Sequence, residues 1–254
     1  MLFSPRAKLI FIHIPKTGGS SVSKAIERPY RFSRFHIKSA ASWHATARLA
    51  PDDHDPLSFE ERLHALRNGL MLYAAESGKR FLTGHVWYTA EMQCLREEGY
   101  AVLTCLRDPV DRMISHYLYN RFNERDHTHT TMDIDAFLDS PRARELATTY
   151  IKYLGGPRAD GDYRSPEAIE QAKAGLNAID LVGFLDEIDV FFQRAARLVG
   201  KRIKSQHKRK SPAPGPEESR LKRSTEVRER VAALCAPDLA IYDYARSAPR
   251  NATE

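Results

Sequence analysis

The chain has 254 residues, 42% of them hydrophobic and 28% charged, which supplies enough apolar material for a sizeable core and excludes a wholly disordered polypeptide. Its formal net charge of +6 favours anionic partners, whether nucleotides, acidic sugars, nucleic acid or lipid head groups, without choosing among them. Three sparse cysteines, Cys94, Cys105 and Cys235, argue against a disulfide framework and against a zinc site.

In chain order, Lys8 to His13 is a short apolar, β-rich run that predicts a buried strand. Leu9–Ile14 is too short for a signal sequence or a membrane span, so a cytoplasmic location is expected. After Pro15 comes Lys16-Thr-Gly-Gly-Ser-Ser21, and Val22 to Arg28 has helical character. Ala50 to Pro56 reads as a polar turn. Arg80 to Thr83 is a second strand, ending at Gly84-His85, and Tyr100 to Leu106 is a third, ending at Arg107-Asp108-Pro109. Cys105, inside that run, reads as a buried free thiol. Asp108 and Pro109 suit the cap and first position of a helix, on which Val110, Met113, Ile114, Tyr117 and Leu118 repeat at helical spacing. A helix starting at Ser165-Pro166-Glu167, a strand at Leu181–Leu185, and helices over Ile188–Val199 and Thr225–Cys235 follow. Strands alternating with helices predict an α/β fold: one P-loop-like domain over residues 1–254, with a mostly parallel central sheet flanked by helices. Lys201 to Glu218, basic and then proline-rich, is expected to be a mobile loop or solvated linker, not a domain boundary.

The most informative segment is His13-Ile-Pro-Lys-Thr-Gly-Gly-Ser-Ser21. A strand running through a small-residue turn into a helix leaves free N–H groups at the helix start, where donors and dipole attract an anion. Gly18 and Gly19 let phosphate oxygens approach the backbone, Ser20 and Ser21 add hydroxyls, and Lys16 adds charge. The order differs from the Walker A pattern of nucleoside triphosphatases, because Lys16 precedes the glycines. Pro15 to Ser21 resembles the 5′-phosphosulfate loop of sulfotransferases that use 3′-phosphoadenosine-5′-phosphosulfate (PAPS), and His13 to Gly19 is most similar to their carbohydrate-type, family 2-like branch. Leu103 to Tyr117 resembles the 3′-phosphate motif of the same family, in which an arginine ends a strand and a serine lies eight residues on; Arg107 and Ser115 hold those places. A planar guanidinium suits phosphate, and Ser115 falls about two turns into the helix that starts near Pro109. Asp238 to Tyr244 is similar to the family's C-terminal Asp-x-x-Leu/Ile-Tyr helix.

The resemblance implies a PAPS-dependent sulfotransferase. It would move a sulfuryl group to a hydroxyl or amine of an acceptor, a glycan or glycolipid first, and release adenosine 3′,5′-bisphosphate without a metal. Lys16, Thr17, Gly18, Gly19, Ser20, Ser21, Arg107 and Ser115 would hold the donor, with Lys16 neutralising the leaving phosphate. His85 is the candidate base, being a histidine at the C-terminal end of a strand, where open α/β sheets bind ligands; the alternative is a structural histidine bonded to backbone. His13 is expected to orient the turn. Trp87 and Tyr88 either stack on an acceptor or fill the core, and His36, Trp43 and His44 fall where acceptor-binding loops are expected. Arg112 either bonds within its helix or reaches the nucleotide, and Lys208, Arg209 and Lys210 either close over the 3′-phosphate or form a solvated run. Rival readings are a nucleotide kinase or other phosphotransferase, a non-catalytic binder of nucleic acid or acidic glycan, and a sulfotransferase relative without turnover. Lys16 and Arg107 on separate strand ends favour a defined two-phosphate ligand over nucleic acid.

Overall fold

The computed structural model describes residues 7–49, 51, 55–124, 128–203, 213 and 215–247. Strand β1 (Lys8–Ile12) leads to α1 (Gly19–Glu27), β2 (Arg34–His36), α2 (Ser39–Leu49), α3 (Pro56–Glu76), β3 (Phe81–Gly84), α4 (Ala90–Glu97), β4 (Tyr100–Leu106) and α5 (Pro109–Phe122). Helices α6 (Ile134–Asp139), α7 (Pro141–Leu146), α8 (Thr149–Gly155) and α9 (Pro166–Asn177) precede β5 (Leu181–Phe184). The last described elements are α10 (Ile188–Val199), α11 (Gly215–Arg223), α12 (Thr225–Leu234) and α13 (Ala236–Ser247).

The five strands form one parallel sheet in the order β2-β3-β1-β4-β5. Both faces are covered, which is why β1 is apolar at every position from Leu9 to Ile12. Its side chains alternate between the faces. Leu9 and Phe11 pack with Val22 and Ile26 of α1 and Phe191 of α10. Ile10 and Ile12 pack with Met71, Leu95, Ile151 and Leu176 from α3, α4, α8 and α9. A separate cluster joins α5 to α6, α7, α11 and α12 through Met113, Ile114, Leu118, Phe137 and Val231. Cys105 lies fully buried in β4, and burial pushes its thiol up to about 12.

Expected helix starts are observed with their caps. Asp108 accepts from Asp111 N at 2.9 Å and Ser165 from Ala168 N at 3.2 Å, each followed by a proline. Strand β2 and helices α2, α3, α4, α6, α7, α8 and α11 were not anticipated. Strand β2 is three residues of alternating polarity at the sheet edge. Helix α2 has only Ser42 and Thr46 buried, and α3 buries His64, Arg67 and Asn68 among its apolar residues. Polar side chains on the inward face erase the apolar stripe that marks a helix in sequence.

Strand β1 lies between β3 and β4. From β1 the chain runs to β2 on one side of the sheet, and from β4 it runs to β5 on the other. The C-terminal ends of β1 and β4 therefore flank the point where strand connections diverge, where such sheets open a ligand crevice.

Candidate functional site

The turn after β1 is built around two left-handed residues, Lys16 at φ 66° and Gly18 at φ 78°. A lysine there stores on the order of 1–3 kcal/mol of strain, which the surrounding turn must hold. Thr17, fully buried, braces it by donating its hydroxyl to the Ile14 carbonyl at 3.0 Å. That hydroxyl is thereby committed to the turn, and the backbone N–H is what Thr17 has left to offer an anion. Gly18 caps α1 without a side chain, and its carbonyl accepts from Ser21 N at 3.0 Å and Val22 N at 3.2 Å. The earlier N–H groups project from the helix start.

Both positions favour glycine, Gly18 chiefly through its left-handed backbone and Gly19 through its close approach to the His13 ring. A Cβ on Gly18 would stand 2.6 Å from Leu185 Cδ1, and one on Gly19 would stand 1.9 Å from His13 Cδ2. The buried imidazole of His13 thus forms the seat of the loop, in line with the orienting role expected of it. Ser20 and Ser21 are half-buried, and among the described residues their hydroxyls have no protein partner.

Two features join this loop to α5 and β4. Lys16 Nζ lies 4.0 Å from the centroid of the Tyr119 ring. Arg107, leaving β4, donates from Nη1 to the Lys16 carbonyl at 3.3 Å. Ser115 and Tyr119 are four residues apart and share one face of α5. Because Tyr119 meets Lys16, that face is turned toward the loop.

Behind Arg107 stands a buried support. Its N–H donates to Tyr150 Oη at 2.9 Å, and the same hydroxyl donates back to the Arg107 carbonyl at 2.5 Å. Asp238 accepts from Tyr150 N at 2.8 Å, Ile151 N at 3.3 Å and Arg112 Nη2 at 3.2 Å. The Arg112 and Asp238 side chains are both fully buried. Burial pushes the Asp238 carboxyl up to about 6 against the pull of Arg112. Of the two readings of Arg112, bonding within its helix or reaching the nucleotide, the structure shows neither: its buried guanidinium donates to Asp238 of α13 and to the Leu146 carbonyl.

His85 follows β3. Its Nδ1 stands 2.5 Å from the His13 carbonyl. A carbonyl only accepts, so Nδ1 carries the proton and Nε2 carries the lone pair. The His85 and His13 rings lie 4.3 Å apart. Burial, and then the Arg67 charge, lower the His85 pKa to about 4, so the ring is neutral at pH 7. His116, next to Ser115, is held neutral by burial and then by the nearby charges of Arg112, Arg142 and Lys16, and has a buried Nδ1 without a described partner.

The remaining candidates separate. Trp87 is 1% exposed and stacks on His64 at 4.2 Å, so it belongs to the core. Tyr88 donates its hydroxyl to Gln93. Trp43 and His44 lie on α2 in an edge-to-face pair at 5.2 Å, and His36 lies on β2, so these three stand on regular elements and not on loops. Lys208, Arg209 and Lys210 lie outside the described residues. Sequence reasoning missed Tyr119, Tyr150 and Arg67. Tyr119 carried a signal, its four-residue spacing from Ser115; the other two sit on helices whose inward polar residues gave none.

The site combines two cations, hydroxyls, a helix start and a side-chain-free cradle on adjacent strand ends, an arrangement fitted to an anion with two charged groups. One neutral imidazole stands on the next strand. A family model described as Sulfotransferase family matches residues 1–245. No curated protein matches the chain.

Proposed function

Starting from the membership of this chain in the sulfotransferase family, a family of sulfuryl-transferring enzymes, we propose that it takes the sulfuryl group from PAPS and delivers it to a hydroxyl or amine of an acceptor. A glycan or glycolipid is the acceptor class proposed first, on the likeness of His13–Gly19 to the carbohydrate branch. The observation that carries the reading is the 3.3 Å contact between Arg107 and the Lys16 carbonyl. It supports a single crevice in which one nucleotide bridges both motifs.

When bound, PAPS supplies an activated sulfuryl group on a phosphate leaving group. Transfer is in-line and loose by analogy with phosphoryl transfer, so the protein's work is positioning and charge stabilisation. In this reading the N–H groups at the α1 start, with Ser20 and Ser21, hold the 5′ end. Arg107 and Ser115 hold the 3′-phosphate. Lys16 leaves the Tyr119 ring for the bridging oxygen and neutralises charge as the bond breaks. His85 receives the acceptor proton at Nε2. An imidazole with a pKa near 4 is a weak base, which is sufficient here because the acceptor oxygen becomes strongly acidic only as its bond to sulfur forms.

The test is release of adenosine 3′,5′-bisphosphate from PAPS over a panel of glycans. Wild type is expected to turn over with at least one acceptor. His85→Ala is expected to lose transfer while binding the bisphosphate normally. Full transfer by His85→Ala would remove the base assignment. Tight magnesium-dependent binding of ATP, with none of PAPS, would return the phosphotransferase reading.

A further inference from the structure

Arg67 sits in the middle of α3 at 5% exposure. Its described partners are neutral oxygens: Nε donates to Ser42 Oγ at 2.9 Å, and Nη1 donates to the His85 carbonyl at 3.0 Å. No carboxylate touches it among the described residues, and Glu60 acts on it only at longer range. Two neutral acceptors offset little of the cost of desolvating a guanidinium, so fold stability alone accounts poorly for its place. Ser42 is itself buried, and its hydroxyl donates to the Ser39 carbonyl at 3.0 Å, which leaves a lone pair for Arg67. One continuous path of contacts therefore runs from α2 through Arg67 on α3 to His85 after β3, and on to His13 after β1.

We propose that Arg67 is the positioning residue for His85: its guanidinium fixes the His85 backbone from the α2–α3 side while the His13 carbonyl fixes Nδ1 from the strand side, holding the imidazole in one tautomer with Nε2 as the proton-accepting atom. The proposal rests on the reading of His85 as base. It has an electrostatic consequence as well. The titratable groups around His85 are His13 against its ring, His36 on β2, His64 and Arg67 on α3, and His116 on α5. Among the described residues none of these is a carboxylate, and Arg67 is the one permanent charge among them. It opposes protonation of His85, in the same direction as burial.

The test needs no acceptor. Protein labelled with ¹⁵N-histidine is followed by long-range proton–nitrogen correlation, with His85→Gln assigning the signal. At pH 5 a ring with pKa near 4 is about one-tenth protonated, with the proton of the neutral form on Nδ1. Arg67→Met is expected to raise the pKa by about one pH unit, so that about half of the rings carry charge at pH 5. Arg67→Lys keeps the charge and is expected to stay near wild type in protonation. Ser42→Ala removes one anchor of the fork and is expected to move His85 in the same direction as Arg67→Met by a smaller amount, which keeps the proposal testable if the methionine variant does not fold. Affinity for adenosine 3′,5′-bisphosphate is expected to change by less than about twofold in all three. Unchanged His85 protonation and tautomer in both Arg67→Met and Ser42→Ala would overturn the proposal. The base reading fails separately, if His85→Gln transfers sulfuryl at the wild-type rate.

Discussion

At the scale of single residues, Lys16 and its neighbours combine backbone strain with charge. Lys16 adopts a left-handed conformation that few lysines take, and its ammonium rests on an aromatic face. Removing a group that stabilises a developing anion costs ~10²–10³ in turnover. Lys16→Ala is expected to lose that much in PAPS turnover while retaining a folded loop; a loss under about tenfold would remove Lys16 from the leaving-group role. Tyr119→Leu removes the aromatic face and Tyr119→Phe keeps it. The phenylalanine variant is expected to match wild type and the leucine variant to lose turnover more than nucleotide affinity, measured as separate kcat and binding changes. Gly19→Ala is expected to lose nucleotide binding outright, because its methyl would enter the space of the His13 imidazole. Lys16, Gly18 and Gly19 were legible in sequence because a strand running into a small-residue turn leaves few other meanings. The reason Gly19 must be glycine was only half legible: the need for a small residue in the turn could be read, and the histidine packed against it could not.

At the scale of elements, α13 reaches back across the fold to support β4. Asp238 joins α8 to Arg112 of α5, and Tyr150 brackets the backbone of Arg107. Removing one partner of a buried pair leaves the other charge uncompensated, at about 3–5 kcal/mol. Asp238→Ala is expected to show that loss in chemical denaturation at pH 7; a loss below about 1 kcal/mol would mean that the pair contributes little. Because burial raises the Asp238 pKa from an ordinary value near 4 to about 6, the folded state binds a proton there that the unfolded state has already released. Its contribution to stability is therefore full at the acid end of that window and is lost as pH rises through about 6. The pH 4–6 slope of unfolding free energy is expected to be shallower in Asp238→Asn than in wild type. Both Arg112 and Asp238 stood out in the sequence, yet their partnership did not, since 126 residues separate them. Strands β1, β3, β4 and β5 were legible because burial on both faces makes them continuous apolar runs. Helices α2 and α3 were not, because Ser42, His64, Arg67 and Asn68 occupy positions where a periodic pattern demands apolar side chains.

At the scale of the whole molecule, the sheet order places the ends of β1 and β4 side by side where the strand connections part. That topology brings together Lys16 and Arg107, which lie 91 residues apart in sequence. No helix among the described residues is long and apolar enough to cross a membrane. In the proposed function, one doubly phosphorylated adenosine spans the two motifs, with a separate protein group for each phosphate. Calorimetry with three nucleotides tests it most directly: adenosine 3′,5′-bisphosphate, adenosine 5′-monophosphate and adenosine 3′-monophosphate. A charge-assisted contact of about 1.5–3 kcal/mol corresponds to roughly 10- to 150-fold in affinity. Arg107→Ala is expected to lose that factor for the bisphosphate and the 3′-monophosphate and to bind the 5′-monophosphate as wild type does. Lys16→Ala is expected to show the reverse preference. If both variants weaken all three nucleotides equally, or wild type does not prefer the bisphosphate to either monophosphate, the crevice does not grip the two ends separately and the account is wrong.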